Sequence, residues 1–162
     1  MHHKLFMFRI KLEKITVQNI DLVKKMNESL FPIEYSHTFY KYILDTTCTK
    51  GFFFIFRDCK IGVCTFSIRG TLHNKSINEC YIMTFGILDK YRNLGFGSKC
   101  IALLENYAVE NYNVKSFKLH VHTSNFKGIN FYKKNFYKIT ELEMNYYKNI
   151  EPCSAYLFVK IL

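Results

Sequence analysis

A glycine-rich segment, DKYRNLGFGSKC at residues 89–100, constrains the fold more strongly than any other part of this sequence. It follows an apolar stretch of strand character, CYIMTFGIL at 80–88, and a helical pattern begins directly after it. Gly95 and Gly97 suit neither a strand nor the interior of a helix, but they suit a tight turn whose backbone approaches another group closely. The N–H groups of such a turn, together with the positive end of the following helix, bind anions such as a pyrophosphate.

The spacing of this turn separates it from other phosphate-binding motifs. Arg92, Gly95 and Gly97 form the pattern R-x-x-G-x-G, which matches neither G-x-G-x-x-G nor G-x-x-x-x-G-K-[ST]. Arg92 and Lys99 add positive charge at the edge of the turn. From these residues alone two interpretations stay open: a pyrophosphate-binding turn and an ordinary strand-to-helix connection.

The length and composition are typical of a single globular domain. With 162 residues, 49% of them hydrophobic and 22% charged, the chain can bury a core without disulfides. The formal charge of +10 favours nucleic acid, a membrane surface or an anionic ligand as a partner, although a lysine-rich solvated surface explains the charge equally well. No apolar run approaches the length of a membrane span and the N-terminus lacks a signal-peptide pattern, so no membrane association is expected.

The cysteine pattern favours a reducing compartment. Six cysteines occur, at positions 48, 59, 64, 80, 100 and 153, and no two of them are spaced as C-x-x-C. Several lie within apolar runs, which predicts buried reduced thiols rather than a disulfide framework. The expected location is therefore the cytoplasm, with the nucleus as a second compartment.

Apolar periodicity predicts a single layer of mixed sheet with helices on both of its faces. The expected order of elements is β-α-α-β-β-β-α-β-α-β-β. The segments are a strand at 5–12; a helix from a cap at Thr16 to about residue 30; a helix capped by Ser36; a hairpin at 51–70 that turns near Asp58 and Cys59; a polar loop at 71–76; the strand at 80–88; a helix that ends near Asn111; a strand at 116–122; a helix at 124–136 capped by Ser124 or Asn125; and strands at 137–147 and 154–162.

This order, with R-x-x-G-x-G at the start of the helix after the fourth strand, resembles that of the GNAT acetyltransferases. The resemblance implies an α/β fold in one domain, residues 1–162, with a mixed central sheet of about seven strands and four helices on its two faces. It also implies that the turn binds the pyrophosphate of acetyl-CoA, that Tyr132 lies near the sulfur, and that no metal takes part. The residues assigned to the cofactor are Phe85, Ile87, Arg92, Asn93, Leu94, Gly95, Phe96, Gly97, Ser98, Asn125 and Tyr132.

Four separate blocks narrow the resemblance: FPIEYSHTFYKYIL, YIMTFGIL, LHVHTSN and MNYYKNIEP. Together they are similar to the San-type Nα-acetyltransferases, the family of the catalytic subunit of N-terminal acetyltransferase E, over nearly the whole chain. The similarity implies transfer of an acetyl group from acetyl-CoA to the α-amine of a protein N-terminus. The partners it implies are nascent protein N-termini and a NatA-type catalytic and auxiliary complex at the ribosome.

The similarity also implies a catalytic pair, Tyr81 and His120, in which the histidine acts as general base through an ordered water. A histidine ordinarily titrates near 6.5, which suits a base at neutral pH, and a purely structural histidine is the alternative. A bulge around residues 83–85 is expected to aim backbone N–H groups at the acetyl carbonyl. His122 shares a strand face with His120, where the similar enzymes carry another residue, and no carboxylate or cysteine completes a metal site.

An apolar slot for an initiator methionine is the remaining implication of the similarity. The apolar composition of the segments concerned favours an apolar first residue over a basic one. A simple helix break and a surface hairpin are the alternatives for these segments. The residues assigned to the peptide are Phe31, Pro32, Ile33 and Tyr35 from the first interhelical loop, Met83, and Tyr146, Tyr147 and Ile150 from the last hairpin.

Three other functions are compatible with parts of the sequence. A GNAT enzyme can acetylate a lysine side chain or a small amine instead of an α-amine. A catalytically weak subunit can serve as an interaction module of a ribosome-associated acetyltransferase complex, although an intact glycine turn, Tyr81 and His120 favour an active enzyme. A basic RNA-binding domain is the third, but the chain carries no RNP-type aromatic block, so sequence-specific binding of nucleic acid is not expected.

Overall fold

Strands and helices follow one another in the order that the periodicity predicts. The computed structural model describes residues 9–45, 47–70 and 78–162, and within these ranges the chain forms seven strands and four α-helices. A short 3₁₀ turn, Asp89–Tyr91, precedes the glycine turn. The elements are β1 (Lys11–Lys14), α1 (Ile20–Leu30), α2 (His37–Leu44), β2 (Thr49–Phe56), β3 (Cys59–Gly70), β4 (Asn78–Ile87), α3 (Phe96–Tyr112), β5 (Val114–His122), α4 (Phe126–Lys134), β6 (Lys138–Glu143) and β7 (Ala155–Ile161).

All seven strands belong to one mixed sheet, in the order β1-β2-β3-β4-β5-β7-β6. β4 and β5 are parallel, as expected for strands joined by a helical crossover, whereas β1–β2, β5–β7 and β6–β7 pair antiparallel. The single mixed sheet of seven strands and the four helices confirm the predicted fold. None of the helices in the described ranges has the length and apolar character needed to cross a bilayer.

The chain forms two compact units, each with its own buried side chains. The first comprises Met1–Thr65 and Thr84–Cys100, and the second comprises Phe66–Met83 and Ile101–Leu162. Fully buried residues of the first unit are Val23, Phe53, Phe54, Ile61 and Val63. Those of the second are Phe66, Ile101, Leu104, Val114, Phe117 and Phe158.

The start of the first unit differs from the sequence prediction. β1 covers Lys11–Lys14, while residues 5–8 of the predicted strand lie outside the described residues. The first helix begins at Ile20 after Asn19, so the prediction of a cap at Thr16 is wrong. The side chain of Asn19 accepts a hydrogen bond from the Thr16 N–H at 2.8 Å and donates one to the Lys14 carbonyl at 3.0 Å. These bonds hold the segment before the helix in a turn, because a short amide side chain competes with helical hydrogen bonding.

The hairpin of the first unit turns where the sequence predicts it. Arg57 and Asp58 connect β2 to β3 and both have positive φ, 48° and 60°. A two-residue connection with positive φ at both positions matches the right-handed twist of the flanking strands. The predicted polar loop that follows β3, at 71–76, lies outside the described residues.

Ser36 caps the second helix, as predicted. Its side-chain oxygen accepts a hydrogen bond from the Phe39 N–H at 3.2 Å. Replacing Ser36 with alanine removes this acceptor, and we expect the free energy of unfolding to fall by about 1 kcal/mol. Urea denaturation followed by circular dichroism measures this change, with Ser36→Asp as the control that keeps a capping oxygen.

In the second unit the strand pairing brings two strand ends together. The register of β4 with β5 runs from Asn78↔Val114 to Tyr81↔Lys118. β5 stays paired with β7 from Ser116 as far as His122. Tyr81 is thus the last residue of β4 that pairs with β5, and His120 lies two residues beyond its partner, Lys118. α4 begins directly after Asn125, whose side chain accepts from the Gly128 N–H at 2.9 Å.

Candidate active site

Tyr81 and His120 are in direct contact. The Tyr81 hydroxyl lies 2.7 Å from Nδ1 of His120, which is hydrogen-bond distance without an intervening molecule. Parallel pairing of β4 and β5 places the two side chains close together. Only 11% of the His120 side chain is exposed, so the bond is largely shielded from solvent. The structure therefore brings together the two residues assigned to catalysis from the sequence.

The second ring nitrogen of His120 contacts a residue that sequence reasoning missed. Nε2 lies 2.8 Å from a carboxylate oxygen of Glu143, the last residue of β6. An ionised carboxylate can only accept hydrogen bonds, so Nε2 carries the hydrogen of this bond. The one sequence signal was the pair of acidic residues in TELEMNYY, and nothing in that pattern says which of them reaches the histidine.

Tyr146 covers the same histidine from the loop after β6. Its hydroxyl lies 2.9 Å from that of Tyr81, and its ring stacks on the imidazole with centroids 4.1 Å apart and planes at 17°. Tyr147 packs edge-on against Tyr146, and its N–H donates to the Cys153 carbonyl at 2.8 Å. Burial raises the pKa of Tyr147 to about 12, so its hydroxyl stays protonated at neutral pH.

Tyr81 is held in its neutral form. Burial is the main reason that its pKa lies well above the ordinary value, and the hydrogen bond with Tyr146 raises the pKa further. The guanidinium of Arg69, 5.1 Å from the ring centroid, acts in the opposite direction but does not outweigh burial. A neutral phenol both donates and accepts, so Tyr81 can pass a proton on to His120 but does not itself become a stable phenolate.

His122, a position where the similar enzymes carry another residue, links two loops. Its Nε2 donates to the Pro152 carbonyl, and its Nδ1 accepts from the Ser124 hydroxyl at 2.7 Å and N–H at 3.3 Å. These contacts tie the end of β5 to the segment that follows Tyr146 and Tyr147. Among the described residues there is no group of three or more His, Cys, Asp or Glu side chains placed to hold a metal ion.

In the first unit the glycine turn has the geometry of an anion-binding site. Asn93 and Gly95 have positive φ, 59° and 80°, and the first helical hydrogen bond of α3 runs from the Lys99 N–H to the Gly95 carbonyl at 3.3 Å. The N–H groups of Phe96, Gly97 and Ser98 therefore have no acceptor within the helix. A Cβ built on Gly95 meets nothing within 4 Å, so the space beside the turn is open. This open turn fits the pyrophosphate of a nucleotide cofactor.

The side chain of Arg92 connects the turn to the residues that precede it in the chain. Its Nε donates to the Ile87 carbonyl at 2.7 Å, and its Nη1 forms an ion pair with Asp89 at 2.6 Å. The guanidinium is 46% exposed and has five N–H donors, so part of it stays available to a phosphate. Arg92 thus joins the end of β4 to the turn, in addition to the role in cofactor binding that the sequence predicts.

Three of the other predicted cofactor residues lie in apolar surroundings, and a fourth is exposed. Phe96 packs against Phe56 with centroids 4.7 Å apart and against Tyr91 at 5.8 Å. Phe85 contacts Phe54 edge-on at 5.7 Å, while Ile87 is buried. Leu94 is 64% exposed at the tip of the turn, where a ligand can cover it.

Of the segment 31–35, which the sequence assigns to peptide binding, Phe31 lies against the end of β4 at Gly86. A Cβ built on Gly86 would come within 2.9 Å of the Phe31 ring and 3.0 Å of Leu30, so only glycine permits this approach. The Phe31 and Tyr35 rings meet edge-on at 6.0 Å, Ile33 is half-buried and Pro32 is exposed. Next to them a cleft of about 310 Å³ is lined by Ser29, Leu30, Leu88, Asp89 and Lys90.

Met83 and Tyr132 occupy different environments. Met83 is half-buried on β4, where burial alternates strictly from Cys80 to Gly86 and first breaks at Ile87. The bulge expected at residues 83–85 stays a prediction. Tyr132 is buried in the second unit against Tyr137 and Phe158, and burial raises its pKa above the ordinary value. Ile150 is half-buried in the loop before β7.

The sequence is similar to those of known acetyltransferases. The sequence matches the acetyltransferase (GNAT) family over residues 17–136. It is 34% identical over 154 residues to N-alpha-acetyltransferase 50 of Danio rerio, covering 95% of this chain and 89% of that protein. The probable N-acetyltransferase san of Drosophila melanogaster is also 34% identical, over 153 residues, with coverage of 94% and 81%.

A solved structure agrees over nearly the whole fold. Arabidopsis thaliana Naa50, in complex with the bisubstrate analogue CoA-Ac-MVNAL, superposes with a TM-score of 0.81 at 28% identity, covering 94% of this chain and 99% of that one. The chain belongs to the acetyltransferase (GNAT) family. It is an enzyme of the acyltransferase class, and its relative from Danio rerio is an N-alpha-acetyltransferase.

Proposed function

We propose that this enzyme acetylates the α-amine of protein N-termini, with a preference for an initial methionine, and that Tyr81 and His120 remove the amine proton. The observation that carries the mechanism is the direct hydrogen bond between the Tyr81 hydroxyl and Nδ1 of His120 at 2.7 Å. This hydrogen bond lies where the pairing of β4 with β5 ends. There the pair can accept the proton that a reacting amine must lose.

Proton removal is the step for which this pair is suited. An α-amine has a pKa of about 7.7–8.0, so much of it is protonated at neutral pH and needs a positioned base. The Tyr81 oxygen accepts a proton as its own hydroxyl proton passes to Nδ1 of His120. The resemblance implies an ordered water in this relay; in the mechanism proposed here, Tyr81 itself passes the proton to His120, to which it bonds directly.

Acetyl-CoA supplies the acetyl group as a thioester: the amine nitrogen bonds to its carbonyl carbon, the C–S bond breaks, and the released sulfur takes up a proton. The chain's own part is to hold the cofactor and to move the amine proton. The free N–H groups of Phe96, Gly97 and Ser98 bind the pyrophosphate, with Arg92 and Lys99 nearby in the sequence. Tyr132 keeps its phenolic proton and can donate a hydrogen bond.

The preference for methionine is supported by the residues at the end of α1. Phe31 and Ile33 are half-buried rather than fully buried, so apolar surface is left for a ligand to cover. In the complex of Arabidopsis Naa50 the peptide part of the analogue, MVNAL, begins with methionine. We assign Phe31, Pro32, Ile33 and Tyr35, with Tyr146, Tyr147 and Ile150, to the binding of the first peptide residues.

Peptide selectivity is the experiment that tests this function. We expect peptides starting Met-Leu to be acetylated much faster than peptides starting Ser-Ser, and blocking the α-amine to abolish the reaction even when a lysine is present. Phe31→Ala should lower kcat/KM for the methionine peptide by roughly 30-fold, equivalent to about 2 kcal/mol, if the ring is buried against substrate. The matched control is Phe136→Ala, because Phe136 is 79% exposed.

The same assay separates the competing functions. Equal rates on Met-Leu and Ser-Ser peptides contradict the methionine slot. Acetylation of the α-blocked peptide at lysine, or of a polyamine, points to a different acceptor. No transfer to any acceptor, with acetyl-CoA still bound, indicates an interaction subunit.

We also propose that the enzyme works in the cytoplasm, with the nucleus as a second location, on chains that emerge from the ribosome beside a NatA-type complex. All six cysteines lie in the described part of the chain and none forms a disulfide, which fits a reducing compartment. Co-sedimentation of the tagged protein with ribosomes at increasing salt, together with its localisation by fluorescence, tests this assignment. Failure to co-sediment at low salt contradicts the ribosomal part.

A further inference from the structure

We infer that Glu143 is a positioning residue, which fixes His120 in the tautomer that carries hydrogen on Nε2 and so makes Nδ1 the atom that receives the proton from Tyr81. The inference deepens the proposed function and rests on it for the role of His120. Neither the sequence motifs nor the resemblance assigns Glu143 any function. Its contact with Nε2, at 2.8 Å, is the observation from which the inference starts.

The hydrogen bonds around His120 have one consistent direction. Glu143 can only accept, so Nε2–H donates to it and the lone pair of a neutral ring is left on Nδ1. Nδ1 then accepts from the Tyr81 hydroxyl, and the Tyr81 oxygen accepts from the Tyr146 hydroxyl at 2.9 Å. With the hydrogen on Nδ1 instead, Nε2 and Glu143 would face each other as two acceptors. A carboxylate on the second nitrogen is the usual means by which proteins fix a histidine tautomer.

Strand register explains why Glu143 and not its neighbour reaches the ring. Across β7, Leu157 pairs with both His120 and Glu141, while Ala155 pairs with both His122 and Glu143. Directly paired residues project to the same side of a sheet. The side chain of Leu157 therefore lies between Glu141 and His120. The small side chain of Ala155 leaves room for Glu143 to cross β7 diagonally.

The charge around the ring gives Glu143 a second effect. The groups that contact His120 are Tyr81 from β4, Glu143 from β6 and Tyr146 from the loop after β6. The guanidinium of Arg69 lies over the ring of Tyr81. Among the described residues in direct contact with the ring, only Glu143 carries a charge. When Nδ1 has taken up the proton, this carboxylate stabilises the imidazolium, although its 41% exposure lets solvent weaken the effect.

The tautomer can be measured without any assay of activity. Long-range proton–nitrogen correlation spectra of protein labelled with ¹⁵N-histidine distinguish Nε2–H from Nδ1–H rings, and the His120→Gln variant identifies the His120 signal among the six histidines. Recorded where the ring is neutral, the unmodified protein should show Nε2–H. Glu143→Leu should move the population towards Nδ1–H, and Glu143→Gln should give a mixture, because an amide both donates and accepts.

The matched control is Glu141→Gln, which makes the same change of charge on the same strand at an exposed side chain. It should leave the tautomer as it is. In parallel, kcat for a methionine-starting peptide should fall by about 10-fold in Glu143→Leu while KM for acetyl-CoA stays constant. Glu143→Gln keeps nearly the shape of the native side chain. If Glu143→Leu does not fold, the tautomer and kcat are therefore measured in Glu143→Gln.

Each result supports or overturns the inference. An Nε2–H ring that persists in both Glu143 variants overturns it, even if kcat falls, because the loss is then not due to the tautomer. A changed tautomer with unchanged kcat overturns the role in the reaction. A changed tautomer in a protein that acetylates no N-terminal peptide supports the positioning of His120 by Glu143 and refutes the proposed function instead.

Discussion

His120→Ala is expected to lower kcat for a methionine-starting peptide by roughly 10²–10⁴ and to leave the Kd for acetyl-CoA nearly unchanged. The variant removes the acceptor of the Tyr81 hydroxyl proton, which is bonded at 2.7 Å, whereas the glycine turn belongs to a different part of the chain. Single-turnover kinetics with saturating acetyl-CoA measure the chemical step. Calorimetric titration with acetyl-CoA measures binding in the same preparations.

Tyr81→Phe should produce a loss of similar kind, since it removes the hydroxyl that connects His120 to Tyr146 and keeps the ring. A smaller loss is expected if another group can reach Nδ1. Tyr42→Phe is the matched control, because Tyr42 is 43% exposed on α2. If His120→Ala retains full kcat in a folded protein, His120 is a structural histidine and the base lies elsewhere.

Gly97→Glu should abolish measurable binding of acetyl-CoA and leave the fold intact. Gly97 is in the first turn of α3, where N–H groups without helical partners attract anions. A carboxylate at that position occupies the site of the pyrophosphate and repels it. Repulsion alone contributes up to about 2 kcal/mol, or roughly 30-fold in Kd, before any steric effect.

The control for charge is Gly97→Gln, which adds a side chain of nearly the same size without a charge. A glutamine variant that binds more tightly than the glutamate variant shows that the turn recognises negative charge and not only space. Calorimetry with acetyl-CoA and thermal unfolding of both variants complete the experiment. Unchanged affinity in folded Gly97→Glu means that the turn is an ordinary strand-to-helix connection.

The order of elements could be predicted because apolar periodicity is a local property of the sequence. The α1 boundary could not, since it depends on which nearby side chain captures backbone groups: Asn19 bonds to Thr16 and Lys14, and the helix starts four residues after Thr16. By contrast, Ser36 caps α2 as predicted, and its side chain accepts a hydrogen bond from the Phe39 N–H.

Part of the candidate site could likewise be predicted from the sequence and part could not. Tyr81 and His120 could be placed together because the sequence blocks around them resemble those of the San-type acetyltransferases, and the parallel pairing of β4 and β5 agrees with that placement. Glu143 could not be found, since its reach depends on the pairing of β6 with β7, which shifts between Ile139 and Glu141, and on a small residue at Ala155. Register shifts of this kind are not visible in a single sequence.

The bonds of Arg92 to the Ile87 carbonyl and to Asp89 have a thermodynamic consequence. A phosphate-binding loop that becomes ordered only around its ligand loses conformational entropy on association, and that loss weakens binding. Here the chain segment is already held by its own side chain, so the entropic penalty is borne during folding instead of at each encounter with the cofactor. Association then requires little rearrangement of the loop, which favours rapid capture of the cofactor.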